Sequence, residues 1–321
     1  MPSDEPFSPK LSIEVEPPQI HSRSLEQQEI MGFTTAIQHM GPFIDLISVT
    51  NRPTFRMSSI STMKLILSVL RDSRLASSTF PVLHLTTRLS IHDTYNELLD
   101  ARRLGIEHLL PVLGDPRGPI SPRFFKNSLD VLAFIKGVTD PRFYKTHSSM
   151  SHGLAETNAD PIDDAEFYVG SVIDPNQFHK KGDQRTSIRN RQMDLFQKRL
   201  SLGADYFITQ AIFDPNQALS FFDEIKADVP IGVGIIPPTF TIADLIGVPL
   251  PDEIVFRLKR KSSKKEQFKI ALQIASESYW TLRDNRVAWI HVYCLGKPDV
   301  FFSITQEDES SESIMRNTVQ V

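Results

Sequence analysis

The sequence predicts an α/β fold, a single-domain (β/α)8 barrel of the TIM type, and three observations carry that reading. Eight short apolar runs of strand character recur along the 321 residues. Each run is apolar almost without alternation, the mark of a strand buried on both faces of a parallel sheet. Segments of helical periodicity separate most of the runs, so the order is strand, then helix, repeated to the end. The competing arrangement is an open doubly wound sheet. No G-x-G-x-x-G turn follows any of the runs, which counts against a dinucleotide-binding sheet of that kind.

In chain order the runs are Leu11–Glu16, Leu46–Thr50, Pro81–Thr86, His108–Gly114, Phe167–Val172, Tyr206–Gln210, Ile231–Ile236 and Trp289–Tyr293. Their density of Ile, Val, Leu and Phe and their polar or turn-forming flanks are what a strand requires. Helical spacing appears at Ile60–Leu70, where Ile60, Met63, Leu67 and Leu70 share a face, and again at Thr94–Leu104 and Met193–Leu202. The pairs Leu104-Gly105 and Leu202-Gly203 read as helix stops, because glycine takes the left-handed conformation at no steric cost. Asp214 followed by Pro215 reads as an N-cap and first helical residue. A short helix is expected over Phe240–Ile246 and a long one over Lys264–Asn285.

Residues 11–306 are therefore expected to form the barrel, with residues 1–10 as a flexible tail and residues 307–321 as an acidic, serine-rich tail. The polar stretch His147–Asp164 reads as an insertion between a helix and the next strand, at the bottom of the barrel. A net charge of -4 gives no general attraction to nucleic acid or anionic membrane. The basic group Arg257, Lys259, Arg260, Lys261, Lys264 and Lys265 has no interleaved aromatic residues and reads as a solvated helix–helix connection. No apolar run is long enough to span a bilayer, and the first residues lack the apolar core of a signal peptide. A single cysteine, Cys294, excludes an internal disulfide and a cysteine zinc site, and fits a reducing cytoplasm. No metal site is expected.

Barrel chemistry sits at the C-terminal ends of the strands. Those ends carry Glu14 and Glu16, Thr50, His84 and Thr86, Gly114-Asp115, Thr209-Gln210, and His291, Tyr293 and Lys297. Carboxylates, hydroxyls, an imidazole and an amide thus gather at one rim, and the opposite strand ends show no matching set. Strand alternation gives Glu14 and Glu16 the same facing, so both stay open as a proton donor.

The same residues resemble the methylenetetrahydrofolate reductase family. The resemblance rests on Ser12-Ile13-Glu14-Val15-Glu16-Pro17-Pro18, Ile47-Ser48-Val49-Thr50, His84-Leu85-Thr86 and Leu113-Gly114-Asp115. It continues through Leu202 to Gln210 with Phe213-Asp214, Gly234-Ile235-Ile236-Pro237, and His291-Val292-Tyr293 with Leu295. The resemblance implies a barrel of one-carbon metabolism that reduces 5,10-methylenetetrahydrofolate to 5-methyltetrahydrofolate, with electrons passing from NADH or NADPH through FAD. It implies Glu14 as general acid and Asp115 as a catalytic residue near flavin and pterin. It places Thr50, His84, Gly114, Asp115 and Arg199 at the flavin, Gln210 at the pterin edge and Lys297 at the folate carboxylate. Association with a second copy or a partner subunit is also implied.

Some positions depart from the family pattern. Leu113 stands where the family has arginine before Gly-Asp, and Asn51 where it has an aromatic residue. The segment Val172 to His179 replaces a Tyr-Pro-Glu-type stretch. Two alternatives therefore stand beside the flavoenzyme: a flavin-free reductase of the same substrate, and a non-catalytic folate-binding or partner subunit.

Overall fold

The computed structural model of the chain describes residues 9–19, 23–50, 56–73, 79–114, 125–140, 162, 166–178, 185–226, 228–261, 263–285, 287–294 and 297–306. Eight parallel strands close into a barrel in sequence order: β1 (Lys10–Val15), β2 (Leu46–Val49), β3 (Phe80–Thr86), β4 (His108–Val112), β5 (Tyr168–Ile173), β6 (Tyr206–Thr209), β7 (Ile231–Ile235) and β8 (Trp289–Tyr293). β8 returns to β1 with Glu14 opposite Tyr293, which closes the ring. The expected strands are all present, with ends shifted by at most two residues.

The helices are α1 (Arg23–Met40), α2 (Ser59–Asp72), α3 (Ile91–Leu104), α4 (Ser128–Thr139), α5 (Pro175–Phe178), α6 (Arg185–Ser201), α7 (Pro215–Ile225), α8 (Phe240–Ile246), α9 (Asp252–Lys259), α10 (Lys264–Asp284) and α11 (Pro298–Thr305). Local chemistry starts and stops them. Ser58, Ser90, Asn127, Asp214, Thr239 and Ser263 each accept a backbone N–H at a helix start. Gly105 ends α3 at φ 71° and Gly203 follows α6 at φ 82°, as the Leu-Gly pairs predicted.

The core has two shells, set by strand alternation. Ile13, Ile47, Leu83, Leu109, Val169, Phe207, Val233 and Ile290 face outward, one per strand, and are fully buried beneath helix residues such as Met63, Leu98, Leu132 and Phe196. Burial of each stabilises the fold by roughly 1.5–3 kcal/mol. The alternate residues face the barrel interior, where Val82, Leu110, Tyr206, Ile208 and Trp289 form a separate cluster. β7 makes room for this interior. Gly232 lies against the Trp289 indole and Gly234 against the Tyr293 ring, so that a side chain at either position would overlap an aromatic residue of β8.

One sequence expectation needs correction. The basic group expected in a helix–helix connection is partly helical, because Arg257 and Lys259 lie within α9. Arg257 donates two hydrogen bonds to the Glu277 carboxylate on α10, at 2.6 and 2.8 Å. A third, smaller core of Ile236, Ile242, Val248, Ile254, Leu258 and Ile274 holds α8, α9 and α10 together. Lys10, expected in the N-terminal tail, opens β1 and pairs with Trp289, while residues 1–8, the C-terminal tail and the polar insertion over 147–164 lie outside the described residues. The exception within the insertion is Ile162, which is buried and whose N–H donates to Val138 O.

Candidate active site

The barrel interior becomes polar towards the C-terminal ends of the strands. On β1 and β8, Ser12 Oγ pairs with His291 Nδ1. On β2 and β3, Ser48 Oγ lies 2.6 Å from His84 Nε2. Both imidazoles are buried, and burial is the main cause of their low pKa values, about 4 for His84 and about 3 for His291. The proximity of His84 lowers His291 further. Both rings are therefore neutral at physiological pH, and they form a rigid floor beneath the mouth rather than a source of charge.

Above that floor the inward-facing column of each strand ends at the mouth. Glu14 is half-buried on β1, opposite Ser48 on one side and Tyr293 on the other. The Tyr293 hydroxyl donates to Thr209 O at 3.1 Å. Burial raises the Tyr293 phenol well above its ordinary value, and the carboxylates of Glu14 and Asp174 raise it further. Gln210 follows Thr209, and its N–H donates to Ile173 O at 2.6 Å, beside Asp174. Glu14, Tyr293, Gln210 and Asp174 are thus linked across the tips of β1, β8, β6 and β5. Cys294 is buried nearby, and burial pushes its thiol up, so it is no nucleophile.

The structure separates the two candidate acids. Glu16 forms an ion pair with Arg56 at 2.8 Å, and Arg56 also donates to Pro17 O at 2.7 Å. Met57 N–H donates to Pro18 O. Glu16 thus ties the loop after β1 to the loop after β2, whereas Glu14 stands on the barrel wall.

On the other side of the mouth, Thr50 and Thr86 end the inward columns of β2 and β3. Among the described residues, the hydroxyl oxygens of Thr50 and Thr86 are buried with no hydrogen-bond partner. An unmet buried hydroxyl costs about 1–3 kcal/mol, which a ligand that bonds to it would offset. Gly114 follows β4 at φ 78°, and a Cβ there would sit 3.2 Å from Thr86 Cβ. Leu113, in the place of the family's arginine, is exposed to solvent. Its carbonyl accepts the Thr87 hydroxyl at 2.6 Å. Lys297 is exposed at the start of α11, on the loop that leaves β8 at this end. Asp115 lies outside the described residues.

Two expected cofactor contacts are placed differently. Arg199 is in the last turn of α6, a helix that starts at the mouth and descends. At 1.5 Å per residue its position is about 20 Å down that helix. It adjoins the turn into β6, at the opposite end of the barrel. The sequence already held this height, because the Leu202-Gly203 stop puts Arg199 in the last turn of its helix, and the flavin role came from the resemblance alone. His84 is turned into the barrel, and its Nε2 is occupied by Ser48. For a flavin, the two unmet hydroxyls and the glycine tip of β4 form a fitting cradle; Arg199 does not join it.

Sequence reasoning passed over Asp174, and it placed Tyr293 and Thr86 at the rim without giving either a role. Strand phase was the available signal: each lies two or four residues beyond an inward-facing position of its own strand. Among the described residues, no group of three or more His, Cys, Asp or Glu side chains is placed to hold a metal ion, and no helix is long and apolar enough to cross a membrane.

Comparison with known proteins bears on this arrangement. Residues 164–308 match the family model for methylenetetrahydrofolate reductase. The matched span carries β5 to β8, and with them Asp174, Gln210, Tyr293 and Lys297 of the mouth. The match covers less than half of the chain, and its family is the one the sequence motifs resemble. In overall structure the chain is similar to an uncharacterized protein from Clostridium thermocellum that binds two copies of 5-methyl-5,6,7,8-tetrahydrofolic acid. The two are 11% identical, with a TM-score of 0.54 over 93% of this chain and 94% of that one. A dihydropteroate synthase from Xanthomonas albilineans, also 11% identical, aligns over 93% of this chain and 90% of that one at a TM-score of 0.45. At its identity, the likeness to the Clostridium thermocellum protein shows the barrel fold alone. No curated protein sequence matches the chain.

Proposed function

We propose that this chain is a reductase of the methylenetetrahydrofolate reductase type, acting on a reduced folate at the barrel mouth with electrons from NADH or NADPH. The observation that carries the reading is the meeting of Glu14, Tyr293, Gln210 and Asp174 at one rim, with two buried hydroxyls on β2 and β3 that have no hydrogen-bond partner among the described residues. The family match over residues 164–308 supports it for half of that rim.

The chemistry follows from the side chains. In 5,10-methylenetetrahydrofolate one carbon bridges two nitrogens. Protonation of the departing nitrogen breaks its bond to that carbon and leaves an iminium on the other nitrogen. Hydride addition to the iminium carbon gives the methyl group of 5-methyltetrahydrofolate. Glu14 delivers the proton from the inner wall of the barrel beside Tyr293, the position the family resemblance gives to the general acid. The Gln210 amide offers both a donor and an acceptor to the pterin edge, and Lys297 meets the carboxylate of the folate tail. Tyr293 remains a protonated phenol and fixes the β6 tip on which Gln210 stands. Thr50, Thr86 and Gly114 hold the flavin side of the cleft, and Asp115, next to Gly114 in the sequence, keeps the catalytic role that the resemblance implies. When bound there, FAD supplies a hydride relay between the nicotinamide and the folate.

A flavin-free reductase is the second reading, favoured by the exposed Leu113 and by the distance of Arg199 from the mouth. The absorption spectrum of the purified protein, combined with NAD(P)H oxidation assays, separates the readings. A flavin band near ~450 nm with oxidation dependent on methylenetetrahydrofolate is expected. Folate-dependent oxidation by a colourless protein establishes the flavin-free route. Folate binding without turnover, even with FAD added, overturns the reductase and leaves a binding protein.

A further inference from the structure

An arginine side chain reaches the tip of β4 from the neighbouring strand β3. Arg88 lies two residues beyond the inward-facing Thr86, in the turn between β3 and α3. Its side chain lies across the tip of β4: Arg88 Cδ and Nε sit 3.2 and 3.4 Å from where a Cβ on Gly114 would be. The absent side chain at Gly114 therefore gives the guanidinium its path over the mouth. Thr86 Cβ is as close to the same point, at 3.2 Å, so Thr86 and Arg88 meet at one spot on the rim.

We propose that Arg88, with the hydroxyl of Thr86, forms an anion subsite at the β3–β4 edge of the mouth. Among the described residues, the groups converging there are donors. Thr86 is 2% exposed, and its hydroxyl has no hydrogen-bond partner among the described residues. The guanidinium offers a planar fork that suits phosphate or carboxylate. Helix α3 begins directly after the turn and adds the positive end of its dipole. Thr87 holds the backbone of the opposing tip through Leu113 O, so the spacing between the two tips is fixed. Exposed Leu113 offers apolar surface beside the subsite and no competing charge. The anion is the diphosphate of a dinucleotide or the carboxylate of the folate tail. The inference rests on the proposed function for the choice between these two, and on geometry alone for the subsite.

The test is equilibrium binding to wild-type protein, Arg88→Met and Arg88→Lys, with FAD, riboflavin, inorganic pyrophosphate and 5-methyltetrahydrofolate as probes. Riboflavin shares the ring of FAD and lacks the diphosphate. The expected result is a loss of about ten- to a hundredfold in FAD and pyrophosphate affinity for Arg88→Met, with riboflavin unchanged and partial recovery in Arg88→Lys. A loss confined to 5-methyltetrahydrofolate supports the subsite and assigns it to the folate carboxylate. Equal binding of every probe by wild type and Arg88→Met, with both proteins folded by circular dichroism, overturns the subsite. Absence of reductase turnover would count against the proposed function while leaving these binding constants to judge Arg88.

Discussion

At the scale of single residues, burial explains more than charge. His84 and His291 stay neutral because they have no water around them, and their serine partners satisfy one nitrogen each. Their pKa values, about 4 and about 3, lie below the value near 6.5 that each regains on unfolding. The unfolded chain thus binds more protons as the pH falls below 6.5, and stability is complete above that value and lost in acid. Urea unfolding should show a loss on the order of 2 kcal/mol per histidine between pH 7 and 4.5. His84→Gln keeps a polar partner for Ser48 and should flatten that slope; an unchanged slope would remove His84 from the explanation. Tyr293 illustrates a steric requirement. Its ring needs the space at Gly234, where a Cβ would lie 2.6 Å from the ring and 2.8 Å from Thr209 O. Gly234→Ala should therefore displace the ring, destabilise the fold by about 1–3 kcal/mol and weaken folate binding. Wild-type folate affinity in that variant would show that Tyr293 has no part in shaping the site.

At the scale of elements, the sequence carried the fold well and the site in part. Strand β6 was legible because Tyr206 to Thr209 is apolar throughout and a Leu-Gly helix stop precedes it. Helix α7 was legible from Asp214 and Pro215, and the structure shows Asp214 accepting Asn216 N–H at 2.9 Å. Asp214→Ala should cost about 1 kcal/mol of stability in a thermal melt. A change within error would mean that the cap is redundant there. Glu14 and Gln210 could be placed at the mouth because each stands at a strand end, and strand direction alone fixes which end that is. Arg199 was assigned to the flavin by resemblance, although the Leu202-Gly203 helix stop already sets it beside the start of β6. Arg88 escaped for another reason: a turn residue has no periodicity, and its position over Gly114 depends on how two strand tips lean together.

At the scale of the whole molecule, closure is what makes a site from these parts. Glu14 and Tyr293 are far apart in the chain and become neighbours only because β8 pairs with β1. Gln210 joins them through Thr209, and the hydroxyls of Thr50 and Thr86, without a hydrogen-bond partner among the described residues, continue the ring on β2 and β3. The folded barrel should therefore gain stability from its ligand. At a free 5-methyltetrahydrofolate concentration a hundredfold above its Kd, the gain is about 2.7 kcal/mol, visible as a rise in Tm. No shift at millimolar ligand would deny a folate site in the barrel. The most direct test of the account is a pair of measurements on Glu14→Gln: turnover of methylenetetrahydrofolate with NAD(P)H, and binding of 5-methyltetrahydrofolate. The account predicts turnover lowered by about 10²–10⁴-fold with binding within a few-fold of wild type. Near-normal turnover in Glu14→Gln would contradict it.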